Sequence, residues 1–209
     1  MPGPEIAVPS VTTRRHFLQS VSLAGATSLF PAAHATRAAQ GPPADAALDA
    51  QRMRSVAAFT AQTLQTPHPV PFGAMIVQTE TGNLLMRATN AVGEEQDPSA
   101  HAELRTIRLA CHQLSSPSLR GYTLYTTCEP CPMCMACALW ARMDRVVYGA
   151  TIADAARFLQ QIQIPAAEVV KRSDMACIVD GPIERDVCFA LFTDPNMQKT
   201  FKLWNSQKP

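Results

Sequence analysis

Two short stretches of this chain, thirty positions apart, hold residue types that do their chemistry only when they meet. The later stretch places cysteines at 128, 131, 134 and 137, and the earlier one is His101-Ala102-Glu103. Seven cysteines cannot all pair within one chain, and so regular a spacing reads first as metal binding. Of the five histidines, His16 and His34 fall in the N-terminal segment, which leaves His68, His101 and His112 as imidazole donors. His101 with Cys131 and Cys134 supplies one nitrogen and two sulfurs. Such a set leaves one tetrahedral position of a zinc ion open, the arrangement of a catalytic rather than a structural site. Whatever the fold, it has to bring residue 101 to residues 131 and 134.

Local sequence suggests how. Asp97-Pro98 supplies a capping residue and a proline suited to a first turn, predicting a helix that starts there and carries Leu104, Ile107, Arg108 and Cys111. A second helix is expected from about Cys131 to Arg142. Both donor groups then lie near helix starts, where side chains lean back towards the N-terminus and the positive end of the dipole favours thiolate. His101 and Glu103 stand about 200° apart around a regular helix, so only in a first turn can both reach the same end. Glu103 is expected to carry protons for a water rather than to bind the metal. A Cys-x-x-Cys alone is often a structural clip or redox pair, and a His-x-Glu alone is usually a solvated face; together, in order, they form one site. The four-cysteine run has a rival in the bacterial ferredoxin cluster motif, but that motif needs three residues before its last cysteine and a proline after it, where this chain has two residues and Ala138. Cys128 and Cys137 are therefore read as small buried hydrophobes.

Around the site the pattern is that of an α/β domain. A helix is expected over Asp45 to Gln65, from the near-helical recurrence of Leu48, Met53, Val56, Phe59 and Leu64. Phe72 to Gln78 and Leu84 to Thr89, joined by a turn sequence, read as a hairpin. Strands follow at Thr123 to Thr126, Arg145 to Tyr148 and Cys177 to Val179, with helices at Asp154 to Gln161 and Ile183 to Phe192 between and after the last two. Strands alternating with helices after an opening hairpin imply a three-layer α/β/α sandwich around a mixed five-stranded sheet.

The N-terminal 35 residues read as an address. Thr12-Thr13-Arg14-Arg15-His16-Phe17-Leu18 precedes a small-residue apolar run, and Ala33-His34-Ala35 offers a cleavage site, which resembles a twin-arginine signal peptide. Export by the twin-arginine machinery to the periplasm is the expectation, with 36–44 a linker and 45–209 the domain. That route carries folded proteins, so a thiolate site can load its metal in a reducing compartment first. Cleavage would remove Arg14, Arg15 and Glu5, leaving equal numbers of basic and acidic residues. A neutral chain lacks the basic footprint of a nucleic-acid binder and suits a small neutral substrate.

The pattern H-x-E followed by P-C-x-x-C is similar to that of zinc nucleobase deaminases in the cytidine deaminase-like superfamily. Within that superfamily Pro71-Phe72-Gly73-Ala74, Asn90, Asp97 to Glu103, Cys128 to Cys134, Trp140-Ala141-Arg142 and Val147-Tyr148-Gly149 resemble bacterial guanine deaminases. The resemblance implies one zinc per chain on His101, Cys131 and Cys134, with Glu103 as proton carrier. It implies that Asn90 hydrogen-bonds the base, that Phe72 and Ala74 line the pocket, that the main chain at Ala102 touches the ring, and that Trp140 belongs to the substrate contacts. Phe201-Lys202-Leu203-Trp204 resembles a C-terminal tail that closes over a neighbouring subunit's site, so a homodimer is expected, the alternative being a tail packed on its own domain. Arg157-Phe158-Leu159-Gln160-Gln161 stands where guanine deaminases carry Gly-Phe-Asp-Asp. A guanine-like purine is favoured, with cytosine or cytidine, a tRNA adenosine, or a ligand bound without catalysis as alternatives.

Overall fold

The computed structural model describes residues 45–206; the signal and linker readings lie outside them. Asp45 caps the first helix, α1 (Ala46–Ala61), its carboxylate accepting from the N–H groups of Ala47 and Leu48, and a 3-10 turn (Gln62–Gln65) ends it. A mixed sheet follows, built from β1 (Gly73–Gln78), β2 (Leu84–Thr89), β3 (Tyr122–Cys128), β4 (Arg145–Ala150) and β5 (Ile178–Asp180) in the order β2-β1-β3-β4-β5. β1 is antiparallel to both β2 and β3, whereas β3, β4 and β5 run parallel. The helices are α2 (Val92–Glu95), α3 (Ala102–Leu114), α4 (Pro132–Trp140), α5 (Ile152–Ala155), α6 (Ala166–Lys171), α7 (Arg185–Thr193) and α8 (Pro195–Ser206). None of them is long and apolar enough to cross a membrane.

Strand alternation sorts the helices into two layers. Met75, Val77, Tyr125 and Val147 face one side of the sheet, where they pack with Met53 and Val56 of α1, Phe192 of α7 and Phe201 of α8. Ala74, Ile76, Leu124 and Val146 face the other, against Ile107 of α3 and Met135 and Leu139 of α4. Side chains pointing alternately to opposite faces, each face apolar, require a covered sheet on both sides. The expected three-layer sandwich is what the chain forms. Close packing explains two glycines of the motifs: a Cβ on Gly73 would stand 1.8 Å from Thr60 Oγ1, and one on Gly149 would stand 2.2 Å from Cys188 Sγ.

Three expectations need correction. The Asp97-Pro98 pair does not start a helix; Asp97 Oδ1 accepts from the Ser99 N–H and hydroxyl, closing a local turn, and α3 begins only at Ala102. The helix expected at Asp154 to Gln161 is a single turn, α5, started by the Thr151–Asp154 capping box and ended at Ala155, after which Phe158 and Leu159 pack on the aromatic cluster. A further helix, α6, occupies residues whose short apolar run read as no element.

Candidate active site

His101 and Cys131 are the N-cap residues of α3 and α4, with φ, ψ of −67°, 151° and −63°, 166°. Neither uses its side chain to cap, so both side chains remain available. Cys131 follows the end of β3 after a two-residue turn, and Pro132 fits the first helical position because it needs no N–H partner there. Two helices thus end on one point from the same face of the sheet. His101 Nδ1 lies 3.7 Å from Cys131 Sγ and 3.5 Å from Cys134 Sγ, and the two sulfurs are 3.6 Å apart. Nitrogen at about 2.1 Å and sulfur at about 2.3 Å on the corners of a zinc tetrahedron would stand roughly 3.6–3.8 Å apart, so this donor set fits the ion. Among the described residues these three form the cluster of metal-donor type.

The electrostatics follow from proximity. The neighbouring Cys134 sulfur and the nearby His101 imidazole hold the Cys131 thiol down at about 4 despite burial. Cys134 moves the opposite way, because its contact with Cys131 and then burial keep its proton on. Cys128 behaves differently: buried, with its thiol directed at the Thr151 carbonyl at 3.8 Å, it is pushed well above its ordinary value chiefly by that burial. Cys137, one turn further along α4 and outside the donor set, is raised by burial as well.

Glu103 sits two positions into α3, 5% exposed, and burial raises its carboxyl to about 7. A carboxyl poised there can both take and give a proton near neutrality. Phe72 precedes β1 and its carbonyl accepts the Asn90 N–H at 3.0 Å. Asn90 Oδ1 accepts the Val92 N–H, so the loop after β2 holds one side of the amide and leaves the other for a ligand. Ala74 and Ala102 are fully buried in one cluster, and Ala102 follows His101 directly. Trp140 ends α4, nine residues from Cys131 or about 13 Å along the helix, is 74% exposed, and lines a groove of about 570 Å³ with Pro132, Ile164 and Met175. The C-terminal tail packs on its own domain, with Phe201 3% exposed and stacked 5.2 Å from Phe158.

Two contributors carried no role in the sequence reading. Thr127 Oγ1 donates to the Pro71 carbonyl and accepts the Gly73 N–H, fixing the loop that carries Phe72. Glu129, inside the cysteine motif, holds two helix starts, as described below. Local spacing could have flagged Glu129 only by its place between two cysteines.

Residues 48–150 match the cytidine and deoxycytidylate deaminase zinc-binding region. Fold and donor set are therefore those of a deaminase-type zinc-binding region. Guanine deaminase of Bacillus subtilis (strain 168) is 46% identical over 86 residues, 41% of this chain and 54% of that protein. The tRNA-specific adenosine deaminase of Aquifex aeolicus (strain VF5) is 42% identical over 81 residues, 39% of this chain and 52% of that one. The chain spans about half the length of these curated relatives. Among solved structures, a tRNA:A34 deaminase studied for A-to-I editing superposes with a TM-score of 0.58 at 28% identity, over 68% of this chain and 99% of its own. A guanine deaminase from Nitrosomonas europaea shares the fold with a TM-score of 0.63 at 23% identity, over 70% and 84%.

Proposed function

We propose that this chain deaminates a free nucleobase or nucleoside, a guanine-like purine foremost, by hydrolysis at an amidine carbon with release of ammonia. The observation that carries the reading is Glu103: a buried carboxyl beside the His101-Cys131-Cys134 cluster, outside the donor set, with its proton affinity raised to about 7 by that burial. A site that only held zinc would have no use for it. When bound, zinc supplies Lewis acidity that brings the pKa of a water down to about 7. Glu103 accepts the proton from that attacking water and delivers it to the ring nitrogen. The second proton of the water follows the same carboxylate to the amine, which leaves as ammonia while the carbonyl forms. Asn90 orients the ring through its amide, and Phe72 closes one side of the pocket.

Purine over tRNA is supported by the charge balance: 18 basic against 17 acidic residues leave little excess positive charge with which to hold phosphates. The tRNA adenosine reading keeps its own support in the 42% identity to the Aquifex protein. Ammonia release from guanine, guanosine, cytosine, cytidine, adenine and a tRNA anticodon stem-loop separates them. Glu103→Gln should lower turnover at least about 10²-fold while zinc content and folding are retained; turnover within a few-fold of wild type would refute the assignment. The proposal extends to a homodimer across the face bearing Trp140, Ile162 and Ile164, which are 74%, 60% and 41% exposed, with Glu168 and Arg172 at the groove to supply both charge signs to a second copy. Light scattering of wild type and Trp140→Glu tests it, a monomer being expected only for the variant.

A further inference from the structure

Glu129 takes no part in the reaction just described, yet it is the most connected side chain of the turn that carries Cys131. Its N–H donates to the Ala150 carbonyl at 2.7 Å, tying that turn to the end of β4. Its carboxylate divides between two helices: Oε2 accepts the Ile152 N–H at 3.1 Å and Oε1 accepts the Ala166 N–H at 3.0 Å. These are the first residues of α5 and α6. At α5 the capping Thr151 hydroxyl is already used by the Asp154 N–H. At α6 the N-cap position holds Pro165, which has no side-chain acceptor. A helix start without an acceptor leaves N–H groups unpaired, and one carboxylate satisfies one such group on each helix.

The connection pinned in this way is 156–165, which has no regular structure of its own. Near its beginning, Phe158 and Leu159 pack against the cluster that holds Cys128 and that Phe72 also touches. At its end, Gln163, Ile164 and Pro165 line a groove together with Pro132, the residue after Cys131. It runs, therefore, from the Phe72 side of the site to the metal-binding turn, and Asn205 of α8 donates to the Phe158 carbonyl and holds it from outside.

Resting on the deaminase reading, we infer that Glu129 is a positioning residue for substrate selection: it sets the 156–165 connection against the turn carrying Cys131. Both oxygens are needed. A glutamine keeps one acceptor and turns an amide N–H₂ towards the other N–H; an aspartate is one methylene short of bridging two helices. The metal donors are held by other means, since the Met135 N–H reaches the Cys131 carbonyl within α4.

The test uses the zinc-loaded chain with Glu129→Gln, Glu129→Asp and, as a destabilised control at the opposite end of β3 and β4, Asp49→Asn. In both Glu129 variants, amide hydrogen exchange over 152–166 should accelerate about tenfold or more while α3 is unchanged, since charge-assisted bonds are lost locally. With guanine as substrate, KM should rise about tenfold with kcat within about threefold and zinc still at one per chain, as expected when binding rather than chemistry is disturbed. Unchanged exchange over 152–166 overturns the pinning. A KM equal to wild type, or raised equally in Asp49→Asn at the same loss of melting temperature, overturns the role in selection. If the wild-type chain deaminates no base at all, the reaction reading falls and the role in selection with it, while the exchange result still decides the pinning.

Discussion

Asp49 offers the sharpest test of how the sheet is held to its first helix. It lies in the first turn of α1, its side chain 3% exposed, and accepts two bonds from Arg145 at 2.9 and 2.7 Å and one from the Tyr125 hydroxyl at 2.5 Å. Arg145, at the start of β4, donates its remaining Nε–H to Asp180 of β5 at 2.6 Å. Asp49→Ala would strand a guanidinium that is 8% exposed with one partner and leave the Tyr125 hydroxyl without its acceptor. Removing one member of such a buried pair costs about 3–5 kcal/mol. At roughly 2–4 °C per kcal/mol for a domain of this size, the melting temperature should fall by about 6–20 °C. Circular dichroism melts and urea titrations read both quantities. A double variant, Asp49→Leu with Arg145→Met, should recover most of the loss, because apolar replacements of similar volume remove the unpaired charge.

The same carboxylate fixes the sign of a pH effect. Burial works to raise its pKa, but the bonds from Arg145 and Tyr125 outweigh it, so folded Asp49 ionises below its ordinary value of 3.8. Its stabilisation is therefore complete above about pH 4 and is lost as the pH falls through the folded pKa. The stability gap between wild type and Asp49→Asn should narrow below pH 4 and stay constant from pH 5 to 7, at roughly the scale set for a paired carboxylate. A single variant that loses less than about 1 kcal/mol, or a gap that does not change with acid, would refute the argument.

At the metal site, Cys131→Ser and His101→Ala should lose zinc, whereas Cys128→Ser and Cys137→Ser should keep one ion per chain by elemental analysis; retention by the first pair and loss by the second would reverse the donor assignment. Gly149→Ala drives a methyl group into Cys188 and should destabilise by about 1–3 kcal/mol, and a further Cys188→Ala change should restore part of it in denaturant titrations. Replacing Arg14 and Arg15 by lysine should leave uncleaved protein in the cytoplasm; a chain still exported with Thr36 at its N-terminus would end the twin-arginine proposal.

Much of the site could be read from spacing because its parts are local. Cys131-Pro132-Met133-Cys134 writes its own helix start, and two thiols three apart on a first turn meet whatever the rest of the chain does. The hairpin from Gly73 to Thr89 and the strand at Arg145 were legible for the same reason: a short apolar run, bounded in the hairpin by a turn sequence, is a property of each segment. Asp97 had the composition of a helix cap, but its carboxylate accepts from the Ser99 N–H and hydroxyl and closes a local turn, and His101 takes the N-cap of α3. Residues 156–161 had helical composition, yet stacking of Phe158 on Phe201, far off in the chain, draws them out of the helix.

The sequence alone determined that a nitrogen and two sulfurs must meet, that a carboxylate stands beside them without being a donor, and that the sheet is mixed and covered on both faces. Those are consequences of residue type and period, which each segment carries with it. Only the tertiary structure decided that the C-terminal helix packs on its own domain and that one glutamate in the cysteine motif holds α5 and α6 together. Each of these depends on which surfaces meet after folding. A hydrogen bond between residues 129 and 166 leaves no period in the chain, because its geometry is set by the packing of α6 against α4.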